Sequence, residues 1–112
     1  MKIIHALKAP VAEKPRTGSA RPVYNSPHAA AVHLTLKPGE SVWKNDPPVD
    51  VFFYVLEGTG TVEVGTESAE VSRDMLIESP AGTMHRLANR GTEPFCVLVV
   101  RAQKAVAYSD QP

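Results

Sequence analysis

The side chains best suited to acid–base work, nucleophilic attack or ligation of a transition metal are His5, His28, His33, His85 and the single Cys96. An imidazole titrates near neutrality and ligates metals through either nitrogen, whereas a lone thiol can form neither an internal disulfide nor a cysteine-based zinc knot. His5 and His28 fall in a poorly patterned leading stretch. His33 alternates with Val32, Leu34 and Leu36 and is expected at the surface or an interface. Cys96 lies in the apolar run FCVLVV, where a small buried hydrophobe is the expected role. No Ser-His-Asp arrangement, phosphate-cradling glycine loop or Cys-x-x-Cys accompanies them.

Elements that could position these groups are short, because ten prolines and seven glycines cut the chain into small pieces. Residues 31 to 37 alternate apolar and polar side chains and read as a half-buried strand. Residues 51 to 56, VFFYVL, are apolar throughout and read as a strand covered on both faces. Further strands are expected at 61 to 64, 69 to 71, 75 to 78, 85 to 88 and 95 to 101. Short strands at this spacing predict an all-β sandwich or barrel. Residues 1 to 30 read as an N-terminal strand and extended arm, 31 to 104 as the barrel and 105 to 112 as a C-terminal tail.

Two stretches carry a resemblance. Gly39, Asn45, Pro47, Val51 and Gly58 stand at the spacing of a first motif in which a glycine precedes a His-x-His pair, a glutamate and a final glycine. Pro80-Ala81-Gly82-Thr83-Met84-His85-Arg86-Leu87-Ala88-Asn89 fits a second, Pro-x-Gly-x-x-His-x-x-x-Asn. The glycine usual six residues before that proline is Asp74. Across residues 30 to 101 the chain resembles a small single-domain cupin. The resemblance implies a double-stranded β-helix, a jelly-roll-like barrel open at one end, and a homodimer.

Metal-binding cupins gather four ligands, which fall here on Asn45, Pro47, Val51 and His85. Proline and valine offer no side-chain donor, and an amide is a poor transition-metal ligand, so the metal site implied by the resemblance is broken and no metal or other cofactor is expected. Asp46 or Asp50 could rebuild it only if strand alternation failed near Pro47-Pro48, and His33 is the other candidate, its orientation toward the pocket left open by the sequence. With regular alternation, the inward set is Trp43, Asn45, Pro47, Val51, Phe53, Val55, His85 and Leu87. Such a pocket suits a small molecule with an apolar body and a few hydrogen-bonding groups; the same side chains could equally pack the barrel, with His85 bonded internally.

Composition narrows the partners. With 112 residues and 43% hydrophobic content, one domain is expected. Twelve basic side chains balance twelve acidic ones, which argues against a nucleic-acid partner. Basic groups gather in residues 1 to 22 and acidic ones in 40 to 78, read as solvated surface. No segment is long or apolar enough for a membrane span or a secretory core, so an unprocessed cytoplasmic protein is expected. Three functions follow in order: metal-free binding of a small molecule, a metal-independent isomerase or epimerase using His85, and a metal-dependent oxygenase or isomerase with a rebuilt ligand set.

Overall fold

The computed structural model describes residues 1–12, 18–44 and 47–102. Among them only Ala6–Lys8 forms a 3-10 turn; the remaining regular structure is strand. In chain order the strands are β1 (Ser19–Asn25), β2 (Ala29–Leu36), β3 (Ser41–Lys44), β4 (Asp50–Glu57), β5 (Thr59–Val64), β6 (Glu67–Ser72), β7 (Leu76–Ser79), β8 (His85–Ala88) and β9 (Phe95–Ala102). They pair antiparallel into a five-stranded sheet, β1-β2-β9-β4-β7, and a four-stranded sheet, β3-β8-β5-β6. The tail expected at 105 to 112 lies outside the described residues.

One apolar core joins the two sheets. Leu34, Leu36, Val51, Phe53, Val55, Phe95 and Val97 from the larger sheet meet Val62, Val71 and Leu87 from the smaller. Each group occupies alternate positions of its strand, as a period of two requires. The run at 51 to 56 departs from its expected burial on both faces. Val51, Phe53 and Val55 are buried, but Phe52, Tyr54 and Leu56 are only partly covered. Among the described residues no further sheet lies over the outer face of the five-stranded sheet, so an uninterrupted apolar run there leaves half its side chains near solvent.

Backbone corners hold the sheets in register. Asn89 is buried; its amide nitrogen donates to the carbonyls of Leu36 (2.9 Å) and Glu93 (2.7 Å), and its Oδ1 accepts from the Gly91 N–H (3.0 Å). Its own backbone joins Gly39 and Glu40 through bonds of 2.8 and 2.9 Å. The last residue of the second motif is thus a structural bracket. At Gly60, a Cβ would fall inside the Phe95 ring, and at Gly58, where φ is +81°, it would meet the Pro94 carbonyl. Asp74, standing where the resemblance expects glycine, adopts φ of +69°. Aspartate tolerates this left-handed conformation better than most residues, and Asp74 Oδ1 also accepts a 3.0 Å bond from the Tyr54 hydroxyl. That bond, with the carboxylate's charge behind it, raises the Tyr54 pKa above its usual value.

Candidate functional site

Directly opposed antiparallel residues share a face, so the strand register determines which side chains meet at the barrel's end. On the four-stranded sheet Lys44 opposes His85, and His85 opposes Val64. On the five-stranded sheet Ser79 opposes Val51, and Val51 opposes Arg101. The buried members, His85, Val51 and Ser79, identify these as inward rows.

His85 is 7% exposed. Its Nδ1 lies 3.3 Å from the Ser79 hydroxyl, and its ring meets Phe53 edge-on at a centroid distance of 4.9 Å. These two contacts fix the ring's position and orientation. Burial pushes the imidazole pKa below its ordinary value, and the nearby Lys44 charge pushes the same way. Both effects favour the neutral ring, which can accept a hydrogen bond on one nitrogen and donate from the other.

The other expected site residues separate into distinct places. Val51, Phe53, Val55 and Leu87 do point inward, and all are packed in the core. Trp43 does not. It is 54% exposed and opposes Arg86 on the outer face, in a groove shared with Ser41, Glu63 and Met84. The phase of β3 differs from the expected one by one residue: Val42 packs against the core, which places Lys44 inward and Trp43 outward. Asn45 and Asp46 lie outside the described residues.

His33 corrects a second expectation. It stands on the outer face of β2, yet it is 9% exposed, and its Nδ1 is buried without a hydrogen-bond partner. Leu7 and Leu56 line the cavity beside it, so the leading segment and β4 cover a residue that alternation alone assigns to the surface. Cys96, expected as a buried hydrophobe, is a partly exposed free thiol 3.6 Å from the Thr35 hydroxyl.

The metal implied by the resemblance does not fit the described residues. Pro47 and Val51 bring no side-chain donor, and Lys44, opposite His85 in the strand register, adds a positive charge that would repel a cation. Asp50 is exposed and uses Oδ1 to accept the Ala81 N–H at 2.8 Å, while His33 stands on the opposite face of its sheet. Among the described residues, no group of three or more His, Cys, Asp or Glu side chains could hold a metal ion. Ser79, Lys44 and Arg101 are the site residues that sequence reasoning missed. Val42 carried the signal for Lys44, since an apolar residue two positions earlier sets the inward phase.

Comparison with known proteins agrees with this architecture. The family model described as the Cupin domain matches residues 32–101. Over 67 residues the chain is 38% identical to the tetracenomycin polyketide synthase protein TcmJ of Streptomyces glaucescens; the match covers 59% of this chain and 45% of that protein, less than half its length. The structure of TT1209 from Thermus thermophilus superposes with a TM-score of 0.79 at 28% identity, covering 94% of this chain and all of that one (100%). A predicted oxalate decarboxylase from Thermotoga maritima, 13% identical, shares the fold with a TM-score of 0.84 over 92% of this chain and 100% of its own. With its two sheets wound as a double-stranded β-helix and the second motif bracketing His85, the chain belongs to the cupin family.

Proposed function

We propose that this cupin binds a small organic molecule at the open end of its barrel, with His85 as the central polar contact and without a metal. The observation that carries this reading is the setting of His85: an imidazole oriented by Ser79 and Phe53, with Lys44 opposite it in the register of β3 and β8 and no ligating side chain at Pro47 or Val51. Such a ring recognises a hydroxyl or carbonyl oxygen by hydrogen bonding. Similarity to a polyketide synthase protein supports a ligand with an apolar carbon body and several oxygens.

The same ring favours a second reading, metal-independent proton transfer. A histidine held neutral near pH 7 can act as a general base, and Ser79 fixes which nitrogen faces the substrate. An isomerase or epimerase would also need a group to return the proton and to stabilise the charge left on the substrate, and for this reason the reading stands second.

We further propose that two copies pair through the outer face of the five-stranded sheet, where Phe52, Tyr54, Leu56, Leu98 and Val100 are only partly covered. A cytoplasmic setting belongs to the same proposal: Cys96 is a free thiol, and no helix among the described residues is long and apolar enough to cross a membrane.

Protein purified without an affinity tag and analysed for metals and retained small molecules tests the reading. Less than stoichiometric transition metal is expected, together with a retained or added ligand whose binding weakens in His85→Ala. One metal per chain, lost in that variant, overturns it.

A further inference from the structure

Two cationic side chains line one cavity at the barrel's open end, and no described carboxylate lines it with them. Lys44 is the last residue of β3 and opposes His85 on the four-stranded sheet. Arg101 comes from the facing sheet, where it opposes Val51 on one side and Ala30 on the other. Both register positions share the inward face, so the two chains approach the mouth from opposite walls. Neither is in an ion pair with a described carboxylate; the ion pairs among the described residues join Glu63 to Arg86 and Arg90.

The rest of the cavity wall is largely apolar and rigid. Pro47, Pro48 and Val49 form one side, and Ala30 belongs to another. The Pro47 carbonyl accepts the Gly82 N–H at 2.8 Å, which ties this loop to the one leading into β8. The cavity holds about 210 Å³. That is below the roughly 300 Å³ at which pockets for drug-sized ligands begin, and it suits a compact ligand or one end of a longer one.

We propose that Lys44 and Arg101 clamp the carboxylate of a small organic acid whose apolar body rests on Pro47, Pro48 and Val49. The inference rests on the reading that a small molecule binds at this end, and adds its chemical class. A planar guanidinium matches a carboxylate with two parallel hydrogen bonds, while an ammonium supplies a mobile point charge from the other wall. Apolar walls focus the field of both charges and strengthen their attraction for an anion relative to open water. Lys44 brings a fixed positive charge next to His85, so an anionic group can be held there without a bound cation.

Benzoate and its uncharged analogue benzamide, titrated separately into isotope-labelled full-length protein at low salt and followed by amide NMR, separate the possibilities. Benzoate should give saturable shifts at Ala30, Lys44, Val49 and Arg101, and benzamide should bind at least tenfold more weakly. Lys44→Met and Arg101→Met should each weaken benzoate at least tenfold, with Lys44→Arg retaining most of the affinity. Equal binding of benzamide and benzoate overturns the clamp while leaving a small-molecule site in place. Absence of saturable binding by benzoate at these amides, or binding indifferent to both Met variants, overturns it as well. Benzoate held by both cations with the His85 and Ser79 signals unmoved supports the clamp and instead removes His85 from the ligand's contacts.

Discussion

Phe53 stands edge-on to His85, its ring plane turned 76° from the imidazole and the centroids 4.9 Å apart. The pair joins the core of the larger sheet to the polar end of the smaller one. Phe53 is fully buried, so Phe53→Ala removes a large apolar surface and leaves a void under the imidazole. A loss of about 3 to 5 kcal/mol is expected by equilibrium denaturation. A loss below about 1 kcal/mol, far under the usual range for a buried aromatic ring, would mean that Phe53 is not packed as described.

Stability should fall as pH drops below 6.5, the ordinary value for an imidazole. The folded pKa of His85 lies under that value, so in the interval between them the unfolded chain binds a proton that the native chain excludes. The contribution is complete above pH 6.5 and is lost as pH falls through the folded value. His85→Gln should flatten this part of the profile. In Lys44→Met the imidazole midpoint, followed by NMR, should move upward, though burial keeps it below the usual value. An unchanged midpoint would separate Lys44 from the site.

Asn89→Ala should destabilise the barrel by about 3 kcal/mol, since it removes three hydrogen bonds worth roughly 1 kcal/mol each. Denaturation midpoints for this variant and for the exposed-site variant Arg90→Ala give the comparison. Equal midpoints would deny Asn89 its bracketing role.

Gly60→Ala tests the fit between β5 and β9. Because the new methyl would coincide with the Phe95 ring, a loss of about 1 to 3 kcal/mol is expected from forced repacking. Gly60→Ala combined with Phe95→Leu should recover part of that loss. If the double variant is simply the sum of its parts, the close approach is not what constrains position 60.

Leu98 lies at the centre of the half-covered outer face, opposed by Tyr54 and His33. Leu98→Glu is expected to convert a dimer to a monomer near 12.1 kDa at micromolar concentration, with little change in the far-UV spectrum. Sedimentation of the unaltered chain as a monomer would remove the pairing proposal at once.

Most of the strands are legible in the sequence because they follow simple periodicity. β2 can be read from alternation, and β4 and β9 from apolar runs bounded by turn residues, although such a run does not say which of its faces is covered. β3 cannot, since Ser41–Lys44 is short and its one aromatic residue invites burial on size alone. Turning Trp43 inward on that weak pattern turns Lys44 outward and hides the cation beside His85. Ser79 escapes notice for a different reason. It meets His85 through contact between the two sheets, and local spacing in the chain carries no information about that meeting. Coverage of β4's outer face and of His33 likewise depends on what lies over the sheet, which hydropathy does not specify.

The outer margin of β1, where the Ala20 carbonyl already accepts the Ala12 N–H at 2.8 Å, has a consequence for how the protein behaves when concentrated. Pro22 deprives this outermost strand of one N–H, and its register with β2 shifts between Pro22 and Tyr24. At the other margin, β7 is only Leu76–Ser79. Neither side therefore offers a long, flat, unbroken row of donors and acceptors to a neighbouring molecule. Edge-to-edge pairing is disfavoured at both margins of the larger sheet, which directs contact with other molecules to the barrel's faces and its open end.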